Sequence, residues 1–567
     1  MGSLNFLNEI FKGTEEEVTG TGGSNNNTTT ITDLFQAITT LWYLVAPTLL
    51  AMGELWLRLF AGLFGPIGIV YLVYTNSNTT TNNTKKSKSK SKPPKMSISF
   101  GIILTVSSTL ILMTDTLYVL QNGPLYGILL FITSICLSIR LCLTYNLNIT
   151  SIHFGSPIDT VRIKDGLYYN TNNKLVSKIV QNWVPKQLHV YDKDHDATSW
   201  MPTGDSRTGL PFILNKYSID DEPDWVRVFL EVNGNDNDDA IDISFPSSNN
   251  MGHDWTKPIY FVLHGLHGGT NEEYIRDLTI RRNKEGSTVI VMIARGLMDT
   301  PIKGWNVFHG ARTSDVHTAA KTIRNNVLEK HNAKNQNQKQ QQILVGVGYS
   351  MGGIIMSNYV ASYGADVQFD AAIAVSGGLD MRYQAHAYRT QRLWQPMLAG
   401  TLRSEFLLGK FGHRVKAKLT KYEFLQIMRA THITDIDRYA IVPLNGFDDV
   451  DHYYREMSAL GDIPHDVDTD IIPMENTGKI HTVAIPLLVV QALDDPLITW
   501  RATIQNEGFM HPNNLVQSGS GNLLLLLTKE GGHVGWPLGV WPGTAKWKWI
   551  SDVVMSFAQS VDEAKKE

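Results

Sequence analysis

The sequence reads Gly348-Tyr349-Ser350-Met351-Gly352-Gly353 directly after a predicted strand, Ile343–Val347, and directly before a helical pattern over Ile354–Tyr363. A serine between glycines at a strand–turn–helix junction is typical of a nucleophile elbow, in which the hydroxyl stands exposed at the tip of a sharp turn. Glycine is needed at 348 and 352 because the turn brings two stretches of backbone too close together for a side chain. Ser350 is therefore the predicted nucleophile.

On both sides of this stretch, strand-like runs alternate with amphipathic segments. Runs of apolar or β-branched residues predict parallel strands that are buried on both faces; they are Trp225–Val232, Ile259–Leu263, Thr288–Ile293, Ile343–Val347, Ala371–Val375, Pro486–Ala492 and Leu523–Leu527. The segment Asp315–Glu329 predicts a helix with Asp315 as its N-cap. The alternation predicts an α/β fold, a mostly parallel sheet with helices on both faces.

A serine hydroxyl needs a base and an acid that orients this base, and candidates for both follow later in the chain. The run Pro486–Ala492 leads into Asp494-Asp495, at the edge of the sheet where the elbow is also expected. The spacing to the following turn favours Asp495, with Asp494 as the alternative. His533 follows the last run among glycines and completes the order serine, acid, histidine.

An oxyanion also needs backbone N–H groups that already point at it. The first is expected from Met351, directly after the nucleophile, and the second from Leu266 in the glycine-rich loop His264–Thr270. His264 and His267 are three residues apart, but the loop offers no acidic or thiol ligand beside them, so we expect no metal and no other cofactor.

The segment from about 379 to 479 is a long insertion with three helical patterns, Thr401–Gly409, Lys421–Ala430 and Asp449–Ala459. Its position between a strand and the acid predicts a cap over the active site. We hypothesise that its aromatic residues line an acyl pocket; they are Trp394, Phe406, Phe411 and Phe424.

The N-terminal quarter differs in kind from the rest. Residues 1–33 are polar and rich in Gly, Asn and Thr, which predicts disorder. Residues 34–145 hold four apolar stretches of the length that crosses a bilayer as a helix, namely Leu34–Met52, Leu55–Tyr74, Ile98–Leu120 and Leu125–Leu143. The lysine-rich loop 85–95 between the second and third is expected on the cytoplasmic side. With four spans the C-terminal domain, residues 180–562, is cytosolic, which is the side we expect; with three it is not. The alternative to membrane spans is a buried or interfacial helical hairpin.

Charge and cysteine content exclude several classes of protein. The net charge is −4, and no basic face is concentrated in the C-terminal three quarters, so we expect no nucleic-acid partner. Only Cys136 and Cys142 occur, in or beside an apolar run, which excludes a disulfide framework or a thiolate metal site.

Seven motifs in order resemble the embryogenesis-associated branch of α/β-hydrolase-domain proteins, which includes carboxylesterases and membrane-anchored phospholipases. The resemblance covers about Pro185 to Ala558; its motifs are His264–Thr270, Ala294–Gly296, Phe308–Asp315, the elbow, Gly446-Phe447 with Tyr453-Tyr454, Asp494–Pro496 and Gly531–His533. It implies an α/β-hydrolase fold, a triad of Ser350, Asp495 and His533, an N-terminal anchor and ester-linked lipid substrates. The chain departs from the family in having several apolar stretches.

Together the residues and the resemblance predict a membrane-anchored serine hydrolase that cleaves carboxylic esters of acyl lipids or phospholipids. The expected partners are the lipid substrate and a membrane, of which the endoplasmic reticulum is one candidate. Two alternatives remain open, an acyltransferase that uses the same triad and a non-catalytic membrane scaffold that retains the fold.

Overall fold

The computed structural model describes residues 161–566 except 188–190, 192–197, 199, 202, 219–222, 224, 232–239, 247–253, 301–306, 330–341, 385–393, 411 and 462–477. All described residues belong to one compact unit, Leu130–Glu567. Residues 1–145, with the predicted tail, apolar stretches and lysine-rich loop, lie outside them. Among the described residues, no helix combines the length and apolarity that crossing a bilayer requires.

A nine-stranded sheet forms the centre of this unit. Its strands are β1 (Gly166–Tyr168), β2 (Trp225–Glu231), β3 (Ala240–Pro246), β4 (Ile259–Leu263), β5 (Thr288–Ile293), β6 (Leu344–Tyr349), β7 (Ala371–Val375), β8 (Leu487–Ala492) and β9 (Leu523–Thr528). Across the sheet their order is β1-β9-β8-β7-β6-β4-β5-β3-β2. The strands β4 to β9 are parallel, whereas β1, β2 and β3 pair antiparallel at the two edges.

Fourteen α-helices connect and cover the described strands. They are α1 (Lys174–Gln187), α2 (Gly204–Leu214), α3 (Glu273–Lys284), α4 (Thr313–Ile323), α5 (Met351–Tyr363), α6 (Gln395–Thr401), α7 (Gly412–Lys418), α8 (Lys421–Arg429), α9 (Ile433–Ile436), α10 (Val442–Asn445), α11 (Val450–Glu456), α12 (Pro512–Leu515), α13 (Pro542–Ala545) and α14 (Lys548–Lys566). Three π-helical turns extend them, Arg324–Glu329 after α4, Leu402–Lys410 after α6 and Asp437–Ile441 after α9.

The core consists of two apolar layers, one on each face of the sheet. Alternate residues of a strand point to opposite faces, and in β8 Leu488 and Val490 belong to one layer while Leu487 and Val489 belong to the other. The helices α1, α3 and α14 pack on the first face, and α4 and α5 cover mainly the second. Every residue of β8 and β9 is buried, as the continuous apolar runs predict.

The parallel strands were predicted correctly, but the edge of the sheet was not. The run Trp225–Val232 was predicted as a doubly buried parallel strand; instead β2 is an antiparallel edge strand on which Val226, Val228 and Phe229 are exposed. Its partner β3 was missed because its polar residues break the apolar run and an Asn- and Asp-rich stretch precedes it. β1, of three residues, carries too little pattern to be predicted.

Two helices begin at other residues than the sequence predicted. Asp315 is not the N-cap of α4, since Arg312 holds that position. Asp315 lies in the first turn, where its buried carboxylate pairs with Arg295 at 2.7 Å. In the cap segment the predicted helix Thr401–Gly409 is the end of α6 followed by a π-helical turn, because the helix starts six residues earlier, at Gln395.

Asp370, just before β7, binds residues of β6, of the π-helical turn after α4 and of α14. One carboxylate oxygen accepts hydrogen bonds from the Leu344 amide at 2.9 Å and from Arg324 at 2.8 Å, and the other accepts from Lys565 at 2.8 Å. Although burial acts in the opposite direction, Arg324, Lys565 and the amide hold the pKa of Asp370 below its ordinary value.

Replacing this carboxylate should weaken the fold in a pH-dependent way. We expect Asp370→Asn to lower the free energy of unfolding by about 1–2 kcal/mol at pH 7. Because the folded pKa is lowered, the carboxylate's contribution is present above the unfolded pKa of about 4 and is lost as pH falls through the folded pKa. Urea denaturation at pH 7 and pH 3.5 measures both, with the exposed Asp366→Asn as control. A difference that does not shrink at the lower pH would contradict this account.

Candidate active site

Ser350 lies at the junction between β6 and α5, in a strained conformation. Its φ is 55° and its ψ −119°, a region that residues other than glycine rarely adopt and that is found at functional sites. A Cβ at Gly348 would lie 2.1 Å from the Gly352 carbonyl oxygen, and one at Gly352 would lie 2.3 Å from the Leu263 carbonyl oxygen. Both positions therefore require glycine, as the sequence predicted. Sheet order, helix layers and elbow together make this an α/β-hydrolase fold.

The three predicted triad residues meet at this turn. The His533 Nε2 atom lies 2.7 Å from the Ser350 Oγ atom. On the other side of the ring, Nδ1 lies 2.9 Å from Oδ2 and 3.2 Å from Oδ1 of Asp495. His533 and Asp495 are buried, whereas Ser350 is partly exposed. A ligand can thus reach the serine while the imidazole and the carboxylate stay away from solvent.

The two neighbouring aspartates have different surroundings. Asp495 faces His533, and its Oδ1 atom also accepts hydrogen bonds from the Leu497 and Ile498 amides at 2.8 and 2.9 Å. Asp494 points away and accepts hydrogen bonds from Arg207 at 3.0 Å and from the Gly532 amide at 2.8 Å. Burial raises the pKa of Asp494 to about 6, although Arg207 and the Gly532 amide act in the opposite direction.

A buried charge cluster around Arg207 of α2 holds the loop that carries His533, and sequence reasoning missed it. Arg207 forms ion pairs with both Asp494 and Glu530, and all three side chains are nearly inaccessible to solvent. The neighbouring Thr208 hydroxyl accepts a hydrogen bond from the His533 amide at 2.8 Å. Arg207 and Thr208 precede the histidine by more than 320 residues and belong to no recognisable motif, so no local pattern indicates their role.

The predicted oxyanion loop lies against the elbow. A Cβ at Gly265 would be 3.4 Å from the Ser350 Cβ atom, and the Gly265 amide donates a hydrogen bond to the Tyr274 hydroxyl at 3.0 Å. Leu266 and Met351 border the same pocket. Met351 is the first residue of α5, so its N–H has no acceptor within the helix. Both residues that were predicted to supply the oxyanion donors therefore border one pocket next to the elbow.

His264 supports this loop. Its Nε2 atom accepts a hydrogen bond from the Ala294 amide at 3.3 Å, which assigns the proton to Nδ1, and Nδ1 lies 2.7 Å from the Gly265 carbonyl oxygen. Burial lowers the pKa of His264 to about 4, so the ring is neutral. Both ring nitrogens are engaged by backbone, which gives His264 a positioning role.

The segment predicted as a cap closes a pocket beside Ser350. Leu402, Ile433, Ile436, Asp437, Ile441 and Tyr453 line it from the cap side, and Leu266, His267, Leu297, Phe308, His309 and Met351 line it from the body of the domain. Of the aromatic residues proposed for this role, none whose side chain is described lines the pocket. Trp394 donates a hydrogen bond to Asp205 at 2.9 Å instead, Phe424 is not part of the wall, and the side chains of Phe406 and Phe411 lie outside the described residues.

Comparison with known proteins finds distant relatives. The chain is 25% identical over 335 residues to a putative esterase, YheT, of Escherichia coli, a match that covers 58% of this chain and 83% of that protein. It is 24% identical to a monoacylglycerol lipase of Saccharomyces cerevisiae, over 51% of this chain and 57% of the lipase. It is 22% identical to the human phospholipase ABHD3, over 69% of this chain and 84% of the phospholipase.

A solved esterase of Pyrococcus furiosus aligns with 61% of this chain and 94% of its own, at 14% identity and a TM-score of 0.33. No protein-family model matches the chain.

Removing one member of the buried charge cluster should destabilise the domain. In Asp494→Asn, Arg207 keeps only Glu530 as a buried counter-charge, so we expect the free energy of unfolding to fall by about 3 kcal/mol. The exposed Asp165→Asn serves as control and should change it by less than about 0.5 kcal/mol. Chemical denaturation of the purified domain measures both. Equal stability of the two variants would show that this ion pair does not stabilise the domain.

Proposed function

We propose that this chain is a serine hydrolase that cleaves carboxylic esters of acyl lipids through an acyl-enzyme intermediate. The observation that carries the proposal is the 2.7 Å contact between Ser350 Oγ and His533 Nε2, with Asp495 on the far side of the ring. A hydroxyl, an imidazole and a carboxylate in this order form the arrangement that activates a serine for attack on a carbonyl carbon.

In the first step Ser350 Oγ attacks the ester carbonyl carbon while His533 Nε2 accepts the hydroxyl proton. The tetrahedral intermediate then collapses, and the bond to the alcohol oxygen breaks as His533 returns its proton to the leaving alcohol. This leaves an acyl-serine. A water molecule, deprotonated by His533, attacks the acyl carbon, and the fatty acid leaves as the Ser350 hydroxyl is restored.

Asp495 keeps the imidazole in the tautomer that this sequence requires. Its contact with Nδ1 keeps a proton on that atom and leaves Nε2 free to accept the proton from Ser350. The amides of Leu497 and Ile498 hold the carboxylate in place. During attack the carbonyl oxygen becomes negatively charged, and we assign its stabilisation to the N–H groups of Leu266 and Met351.

Three observations support a lipid as the source of the ester. The pocket beside Ser350 is lined mainly by leucine, isoleucine, phenylalanine and methionine, which favours hydrocarbon. The similar proteins of yeast and human are named as a monoacylglycerol lipase and a phospholipase. Four apolar stretches precede the domain and would hold it beside a bilayer, where acyl esters are concentrated.

Labelling with a fluorophosphonate probe tests the nucleophile. The wild-type chain should be labelled covalently and should hydrolyse a p-nitrophenyl acyl ester. Ser350→Ala should lose labelling completely and ester hydrolysis by at least about 10³-fold, because the attacking oxygen is gone. Mass spectrometry of the labelled peptide identifies the modified residue. Labelling of both forms to the same extent would remove Ser350 from its proposed role.

The adjacent aspartates provide a matched pair of variants for the same assay. Asp495→Asn should lower kcat by about 10⁴-fold because the wrong tautomer of His533 is favoured. Asp494→Asn has the same change in charge and volume and should lower kcat much less in folded protein. The same assay run with an added alcohol as acceptor detects an acyl ester product, which would favour the acyltransferase. Absence of both activities would favour the scaffold.

We further propose that the apolar stretches of residues 34–145 anchor the enzyme in a membrane, such as that of the endoplasmic reticulum, with the catalytic domain on the cytosolic side. The lysine-rich loop 85–95 supports this orientation. Neither a cofactor nor a nucleic acid has a role in the proposed reaction.

Membrane extraction and protease protection test this anchor. The full chain should stay in the membrane pellet after carbonate extraction, whereas a chain that lacks residues 34–145 should not, because hydrocarbon burial is lost. In sealed microsomes the catalytic domain should be digested by added protease. Release of the full chain by carbonate contradicts the anchor, and protection of the domain contradicts the orientation.

A further inference from the structure

The strand β8 carries one polar side chain, Gln491, in an otherwise apolar run. The strand reads Leu-Leu-Val-Val-Gln-Ala over residues 487–492, and every one of these residues is buried. Gln491 itself is 0% exposed. Burying an amide in such a layer costs free energy unless hydrogen bonds satisfy it. A glutamine at this point of β8 is therefore explained by what its amide binds.

The amide nitrogen of Gln491 faces three oxygen acceptors just beyond the end of the strand. Its Nε2 atom lies 3.2 Å from Asp495 Oδ2, 3.0 Å from the Ile498 carbonyl oxygen and 3.2 Å from the Ala492 carbonyl oxygen. Carbonyl oxygens accept hydrogen bonds and cannot donate them, so the nitrogen of the side chain must lie on this side. On the other side, the Thr503 hydroxyl donates to Oε1 at 3.4 Å. The orientation of the amide is thereby fixed.

Gln491 binds the carboxylate oxygen that also faces the imidazole. Asp495 Oδ2 lies 2.9 Å from His533 Nδ1, whereas Oδ1 accepts hydrogen bonds from the Leu497 and Ile498 amides. The side chain of Asp495 is fully buried. Nitrogen donors from the protein therefore surround this carboxylate where an exposed one would have water, and Gln491 is the side chain that supplies a donor besides the imidazole.

The two ends of the carboxylate need separate attachments if its direction is to be fixed. The backbone amides hold Oδ1, and a group held at one oxygen alone can still turn about that point. The Gln491 amide holds Oδ2 and so fixes the second point. The tautomer and the orientation of the His533 ring depend on this oxygen. Gln491 thus acts on the Ser350 hydroxyl indirectly, through Asp495 and His533.

We propose that Gln491 is a positioning residue of the triad, whose side-chain amide directs Asp495 Oδ2 toward His533. The inference rests on the proposed function, since it concerns the proton transfer at that same site. Gln491 does not line the pocket beside Ser350. Its effect is therefore on the chemical step that His533 carries out and not on the binding of the acyl group.

The test replaces Gln491 by methionine, which has the same length but no N–H group, in the full-length enzyme in detergent. With a p-nitrophenyl acyl ester, kcat should fall about 10-fold, as expected for one hydrogen bond to a charged group. KM should change by less than about twofold, because the interaction matters in the transition state. Rates are expressed per serine labelled by the fluorophosphonate probe at completion, so unfolded protein does not contribute. Gln491→Asn, whose amide is one CH₂ group shorter and falls short of Asp495, should show the same loss and serves if the methionine variant does not fold.

Gln384 provides a matched control. It is a second buried glutamine that binds the same loop, but its partners are backbone groups, since it donates to the Leu497 carbonyl oxygen and accepts from the Thr499 amide at 2.9 Å. Gln384→Met should lower the free energy of unfolding about as much as Gln491→Met, yet change kcat by less than about twofold. An equal loss of kcat in the two methionine variants would overturn the inference, because any bond to the loop would then suffice.

A double-mutant cycle tests whether Gln491 acts through the carboxylate. In the Asp495→Asn background, Gln491→Met should change the remaining kcat by less than about twofold, because the group that it positions is gone. The same 10-fold loss in both backgrounds would overturn the inference.

The outcomes also separate this inference from the proposed function. Wild-type kcat in Gln491→Met would overturn the inference, while labelling of Ser350 and ester hydrolysis would still support the hydrolase. A wild-type enzyme that neither reacts with the probe nor cleaves the ester would overturn the two together.

Discussion

The structure depends on a close backbone approach between the start of α5 and the end of β4. The separations at Gly348 and Gly352 leave no room for a Cβ atom, so the chain can make this turn only with glycine at both positions. This tight turn forces Ser350 to a positive φ. It also brings the loop after β4 next to Ser350. One steric constraint thus sets Ser350, the start of α5 and the loop His264–Thr270 relative to one another.

His533 is held by a different kind of interaction. His533 sits in a loop, and a loop by itself does not position a side chain to within a few tenths of an ångström. Here the buried Arg207 guanidinium joins the carboxylate of Glu530, in the loop itself, to that of Asp494, which follows β8. The two adjacent aspartates therefore have different partners. Asp494 anchors the loop through Arg207, and Asp495 faces the imidazole.

The pocket beside Ser350 takes two of its polar groups from distant parts of the chain. His309 belongs to the loop before α4 and Asp437 to the cap, and both face a wall that is otherwise apolar. Burial lowers the pKa of His309, so its imidazole is neutral, and it raises the pKa of Asp437 to about 7.

The sequence by itself determined the parallel strands and the order serine, aspartate, histidine, because continuous apolar runs and a glycine-bounded turn are local patterns with direct physical causes. It did not determine the edge strands β1 and β3, whose residues lack such a pattern, nor the choice between Asp494 and Asp495 as the partner of His533. It also gave no sign that Arg207 or Asp437 lies near the site. Only the tertiary structure decided these, since burial, ion pairing and the direction of a side chain depend on residues that lie far apart in the chain.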